Sequence, residues 1–307
     1  MRNSLEALTE ELKRLKDSGV ETVSVSPANL TMLKQAVSAW NARHPPMGQT
    51  APPATPPTRT ATPPPPPART PAPPAPIPPP VPALPPPPIL TLPAGEKAAR
   101  WAALRALMNE NPICRAQVRP GKQLVLGTGS LDARIMFVGD APGAEEESAG
   151  EPFVGPAGQL LDRMIVAMGL KRGDVYLCNV MNWRPRTGAT AGEEEFRNQP
   201  PTPAEIAYCL PYLHAQLAIV EPQLLVVLGM TAAQALFSND SFKNIGEIRG
   251  CWRVWEGRSV MPTFHPNYLL KSNSNRTKRQ VWEDLLQVME QAGLAISDRQ
   301  RGFFAGK

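Results

Sequence analysis

Arg134-Ile135-Met136-Phe137-Val138-Gly139 runs straight into Asp140-Ala141-Pro142-Gly143-Ala144-Glu145-Glu146-Glu147. The first part is short and apolar, with no alternating polar position, as in a strand covered on both faces. Pro and Gly then break it. Three more runs repeat the pattern: Asp174-Val175-Tyr176-Leu177-Cys178-Asn179-Val180, Gln223-Leu224-Leu225-Val226-Val227-Leu228-Gly229 and Ser259-Val260-Met261-Pro262-Thr263-Phe264. Pro262 favours a strand end or an edge in the last of these. Helical spacing occupies residues 157–168, 203–220 and 231–237 between the strands, with further helices at 96–108 and 278–292. Strand and helix in alternation predict an α/β domain of three αβα layers, with a central four-stranded parallel sheet and right-handed crossovers.

Upstream the composition changes. Of the 38 prolines, 24 lie between Pro45 and Pro93, a stretch without Asp or Glu. Such a segment cannot bury enough surface to offset its ordering entropy, so residues 45–95 read as a disordered Pro-rich linker. It separates residues 1–44 from a larger domain at 96–307, long enough for one well-cored α/β fold. In the short piece, Leu5, Leu8, Leu12 and Leu15 stand at helical spacing, and Ser26-Pro27 starts a second helix. This is a small helical module for docking or oligomerisation. Module and linker are the expected places for a protein partner; the domain itself is expected to be a monomer.

The net charge of +5 suggests nucleic acid, but residues 96–307 carry 24 basic against 22 acidic side chains. Bulk charge therefore decides little, and a local cluster matters more: Lys271, Arg276, Lys278 and Arg279. No apolar run approaches the roughly 18 residues of a membrane span. The N-terminus alternates charged and apolar residues, unlike a signal peptide. The four cysteines are scattered, which fits a reducing, cytoplasmic setting.

In open parallel sheets ligands bind beyond the carboxyl ends of the strands. Asp140 follows the first strand, Asn179 ends the second, and His265 follows the fourth. An acid, an amide and an imidazole thus converge on one rim. A P-loop is excluded, because no Gly-Lys-Ser/Thr follows the glycines.

Three blocks now resemble the signatures of family 4 uracil-DNA glycosylases: Gly139-Asp140-Ala141-Pro142-Gly143 with Gly150-Glu151-Pro152-Phe153-Val154-Gly155-Pro156-Ala157-Gly158-Gln159; Cys178-Asn179-Val180-Met181-Asn182-Trp183-Arg184-Pro185; and His265-Pro266-Asn267-Tyr268-Leu269-Leu270. The resemblance runs from about residue 114 to 292. It implies a DNA-repair hydrolase that flips uracil out of DNA and cuts its N-glycosidic bond. It also implies roles. Asn179 reads the uracil edge and Phe153 stacks on the base. His265 stabilises the departing uracil through O2. Asp140, where the family usually has Glu, orients water or supports the cationic sugar. Glu146 matches a second catalytic acid, and Ala141 and Gly143 offer backbone amides to base or phosphate. Glu145 and Glu147 read as a solvated or helix N-terminal cluster. Tyr268, Leu269 and Leu270 are candidates for a wedge into the stack, with Lys271 and Arg276 on phosphates. With no lysine evident as a Schiff-base nucleophile, an abasic site is the expected product.

The chain departs from the pattern in two places. Members of the family usually hold a [4Fe-4S] cluster on four cysteines. Here Cys114 and Cys209 match two ligand positions, while Asn111 and Trp183 occupy the others. Two thiolates cannot hold such a cluster in the usual way, so none is expected, with Trp183 filling the space. After Arg184-Pro185, where the family often has an Asn, stand Arg186-Thr187-Gly188 and a longer Glu-rich loop. Two other functions stay open: a DNA-binding scaffold with weakened catalysis, and a glycosylase for deaminated purines.

Overall fold

The computed structural model describes residues 84–185, 200–237 and 242–304. The expected N-terminal module, most of the Pro-rich segment, residues 186–188 and most of the loop after them lie outside these.

The described residues form an α/β domain. Two short helices come first, α1 (Lys97–Glu110) and α2 (Pro112–Gln117). Then follow β1 (Thr128–Gly129), β2 (Ile135–Gly139), α3 (Ala144–Ala149), α4 (Pro156–Ala167) and β3 (Tyr176–Asn179). The second half comprises α5 (Pro203–Val220), β4 (Leu224–Leu228), α6 (Met230–Leu236), β5 (Arg253–Trp255), β6 (Arg258–Thr263), α7 (Pro266–Ser272), α8 (Asn275–Gln291) and α9 (Asp298–Arg301).

The sheet has six strands in the order β1-β3-β2-β4-β6-β5. The four inner strands are parallel, as the apolar runs predict. The two edge strands are antiparallel additions that the sequence reading lacked. They are two and three residues long, too short for a periodicity to register. β5 and β6 close through Glu256 and Gly257, both at positive φ, the geometry that two-residue hairpins favour. Pro262 pairs with Val227 of β4 while its carbonyl accepts from Gly250 N–H, beyond the end of β5. Its missing N–H therefore faces an edge where no ladder partner is needed, as expected of proline.

Alternate side chains of the inner strands feed two cores. Ile135, Phe137, Leu177, Val226 and Met261 pack with α4 and α8. Met136, Val138, Tyr176, Leu225, Val227 and Val260 pack with α5 and α6. A third cluster joins α1, α2 and α5 to Leu126, Met181 and Trp183, and Leu84, Leu90 and Leu92 pack against it. The end of the expected linker thus lays its leucines on the domain, although residues 84–95 hold no regular element longer than a bend.

One buried carboxylate ties α8 to the rim. Asp284 of α8 is fully buried, accepts from Thr263 Oγ1 at 2.5 Å and is paired with Arg249. Burial pushes its pKa up, against the pull of Arg249 and Thr263. Thr263 lies two residues before His265, so this contact steadies the strand that delivers the imidazole.

Candidate active site

The chain runs from β2 to β3 on one side and then to β4 on the other, so the connection reverses direction beside β2. At the carboxyl ends of these strands lies a cavity of about 70 Å³, lined by Asp140, Ala141, Gly143, Phe153, Asn179, His265 and Asn267 among others. The acid, ring, amide and imidazole expected to cooperate share this one space.

Asn179 sits opposite Gly139 at the end of β3 and is 5 % exposed. Gly139 is required here: a Cβ would collide with Asn179 Oδ1 and lie 2.6 Å from Phe153 Cζ. Phe153 has φ of +55°, a left-handed conformation unfavourable for a bulky side chain. Three groups hold it. Arg172 donates to the carbonyls of Pro152 at 2.7 Å and Phe153 at 3.0 Å, and is itself paired with Asp162 at 2.7 Å. Gly158 leaves room for the Phe153 carbonyl, which any Cβ there would strike. Glu146 accepts from Gly155 N–H at 3.1 Å.

His265 caps α7, with Pro266 at the first helical position. Its Nδ1 accepts from the Asn267 N–H at 3.0 Å. An accepting Nδ1 carries no proton, so the ring proton of the neutral imidazole sits on Nε2. That Nε2 lies 3.5 Å from Asp140 Oδ1, too far for a good hydrogen bond, and so remains available to an incoming carbonyl. The His265 and Phe153 rings lie 6.1 Å apart at 27°.

Several expected residues are placed differently. The Ala141 amide donates to Asp140 Oδ1 at 2.9 Å and the Gly143 amide to Glu146 Oε2 at 2.9 Å, so both already serve the loop. Both oxygens of Glu146 are thereby engaged by backbone. Glu145 is exposed as read, but Glu147 is not solvated. It is 3 % exposed and bridges Arg119 at 2.9 Å and buried Arg184 at 3.0 Å, because both guanidinium groups converge behind α3. Leu269 is 4 % exposed and belongs to the core, which removes it from the wedge. Helical geometry turns Tyr268 and Leu270 outward instead, at 49 % and 42 % exposure. Lys271 and Arg276 are exposed. Asn267 and Arg172 were missed. Asn267 stood inside a quoted block, but Arg172 had no signal beyond a charged residue in a turn.

Positions 111, 114, 183 and 209 also come together, in the third apolar cluster. Asn111 Oδ1 caps α2 by accepting from the amides of Ile113 and Cys114 and accepts from Tyr208 OH at 3.2 Å; its Nδ2 donates to Tyr212 OH at 3.1 Å. Cys114 Sγ contacts Tyr212 OH at 3.4 Å. Trp183 is 1 % exposed and packs against Tyr208. Burial pushes both Cys114 and Cys209 upward in pKa, favouring neutral thiols. Two cysteines, an amide and an indole do not supply the four thiolates of a four-iron cluster. Among the described residues, no group of three or more His, Cys, Asp or Glu is placed to hold a metal ion.

The uracil DNA glycosylase superfamily profile matches residues 126–286. A type-4 uracil-DNA glycosylase of Thermotoga maritima is 44% identical over 163 residues, 53% of this chain and 79% of the relative. One from Archaeoglobus fulgidus is 40% identical over 154 residues, 48% of this chain and 71% of the relative. One from Pyrobaculum aerophilum is 35% identical over 163 residues, covering 50% and 77%. With the profile match spanning the inner strands and all three rim blocks, the chain belongs to the uracil DNA glycosylase superfamily.

Proposed function

We propose that this chain removes uracil from DNA, hydrolysing the N-glycosidic bond and leaving an abasic site for repair. The observation that carries the reading is the single cavity shared by Asp140, Phe153, Asn179 and His265. A base inside a duplex is unreachable, so the nucleotide is extruded into this space. Phe153 stacks on the base. The Asn179 amide, with no hydrogen-bonding partner among the described residues, donates to one uracil carbonyl while accepting from the adjacent N–H. Bond cleavage places negative charge on the leaving base, and the Nε2–H of His265 meets it at O2. Asp140, 39 % exposed in its side chain, supports the cationic sugar and orients the attacking water. Glu146 serves as a loop clamp, since both of its oxygens hold amides. No lysine lines the cavity, which favours hydrolysis over a Schiff-base route.

Tyr268 and Leu270 form the wedge, with Lys271 and Arg276 on the phosphates. The protein works as a cytoplasmic monomer without an iron–sulfur cluster. The donor set around Cys114 supports that last point, and iron analysis with a visible absorption spectrum checks it. No helix of the described residues is long and apolar enough to cross a membrane.

The test is incubation with oligonucleotides holding one uracil, hypoxanthine or xanthine, followed by alkaline cleavage of abasic sites. Product is expected from uracil. His265→Ala and Asn179→Ala should each lower the rate about 10²-fold or more, if each group contributes about 3 kcal/mol. DNA binding without product, or product from purine lesions alone, overturns the proposal.

A further inference from the structure

A second cavity, of about 690 Å³, opens between α1, α2 and the loop leading to β1. Trp101, Arg105, Arg115, Arg119 and Lys122 line it against one acid, Glu151. Such concentration of positive charge stands out in a domain whose basic and acidic side chains nearly balance. Arg119 is already paired with Glu147, but Arg105, Arg115 and Lys122 are exposed. The Arg105 guanidinium lies 5.6 Å from the Trp101 ring centroid, so the indole steadies this cation at the cavity wall.

A series of shared lining residues leads from this cavity toward the base pocket. It shares Lys122 and Ala149 with a shallow cleft along α3. That cleft shares Ala144 and Glu145 with a third, which Lys271 also lines. The third shares Gly143, Glu146, Ala157 and Asn267 with the base pocket. The intervening helix α3 has six residues, about 9 Å at 1.5 Å per residue, so at most about three nucleotides span it even at the stacked spacing of about 3.4 Å.

We propose that the groove of Trp101, Arg105, Arg115 and Lys122 binds single-stranded DNA continuing from the extruded uracil on one side. A basic groove that follows the backbone is a general means of holding an unpaired strand without reading its sequence. The inference rests on the uracil-DNA reading and extends it to the flanking strand.

The test uses the full chain and fluorescein-labelled single strands carrying one uracil. One flank is kept at two nucleotides and the other grown from two to ten, in both polarities. Excision and anisotropy are read over a range of salt. For the unaltered protein, affinity should rise about tenfold once the flank on one side exceeds about three nucleotides. In the triple variant R105Q/R115Q/K122Q that gain should vanish. The slope of log affinity against log salt should become shallower by about two, at about 0.7 per neutralised phosphate contact. The variant should still excise uracil from the shortest oligonucleotide, and its melting temperature should match that of the parent. A flank gain that survives in the variant, or one that appears only when a complementary strand is annealed, overturns the proposal. Absence of excision by the parent from every uracil oligonucleotide, whatever its flank, instead overturns the glycosylase reading, so the two failures are distinct.

Discussion

Phe153 concentrates the residue-scale argument. A left-handed backbone costs a non-glycine residue about 1–2 kcal/mol, so the surroundings must impose it. Arg172 imposes it from the carbonyl side, and Glu146 fixes Gly155 two residues on. If the purpose is to aim the ring at the base, removing Arg172 should matter only while the ring is present. Arg172→Ala is expected to lower kcat/KM about 10-fold to 10²-fold. The same change made in Phe153→Ala should have little further effect, as a double-mutant cycle on uracil oligonucleotides would reveal. Equal losses in both backgrounds would contradict the aiming role. Phe153, Asn179, His265 and Asp140 were legible in the sequence because each sits in a block at a strand end. Arg172 was not, since its contacts reach back 19 and 20 residues to backbone oxygens, and backbone acceptors leave no mark on side-chain pattern.

At the scale of elements, the four parallel strands were readable as apolar runs, and the helices between them by their spacing. The edge strands carried too few residues to be seen. Residues 268–270 read as one wedge in sequence, but a helix separates neighbours by about 100° and sends Leu269 inward. The same limit hid Glu147, whose neighbours Glu145 and Glu146 face solvent and backbone. Glu147 joins α3 to the segment after β3 through buried Arg184. Breaking a buried ion pair by removing one member costs about 3–5 kcal/mol. Glu147→Ala should therefore lower unfolding free energy by about that amount in denaturant titration and loosen both segments flanking the cavity. A loss below about 1 kcal/mol would show that Arg184 does not depend on this carboxylate.

For the whole molecule, ionisable groups buried in the cores set the behaviour in alkali. Burial raises the thiols of Cys114, Cys178 and Cys209 and the phenols of Tyr176 and Tyr212 above their ordinary values. For a group raised on folding, the unfolded chain loses its proton first. The stability it contributes is complete below the unfolded value, near 9 for a thiol, and is lost as pH climbs toward the folded value. The melting temperature should hold between about pH 7 and 8 and fall steeply above about pH 9. A flat profile to about pH 10.5 would mean these groups are hydrated. That the domain has a dense core was plain from composition; that its thiols lie among phenols and an indole was not, because contacts between distant helices have no local signature. The joint at Asn111, knitted by an amide and two tyrosines, has a consequence for the living cell. On the cluster-free reading it offers superoxide and peroxide nothing to dismantle. Uracil clearance by this chain would then be independent of iron supply.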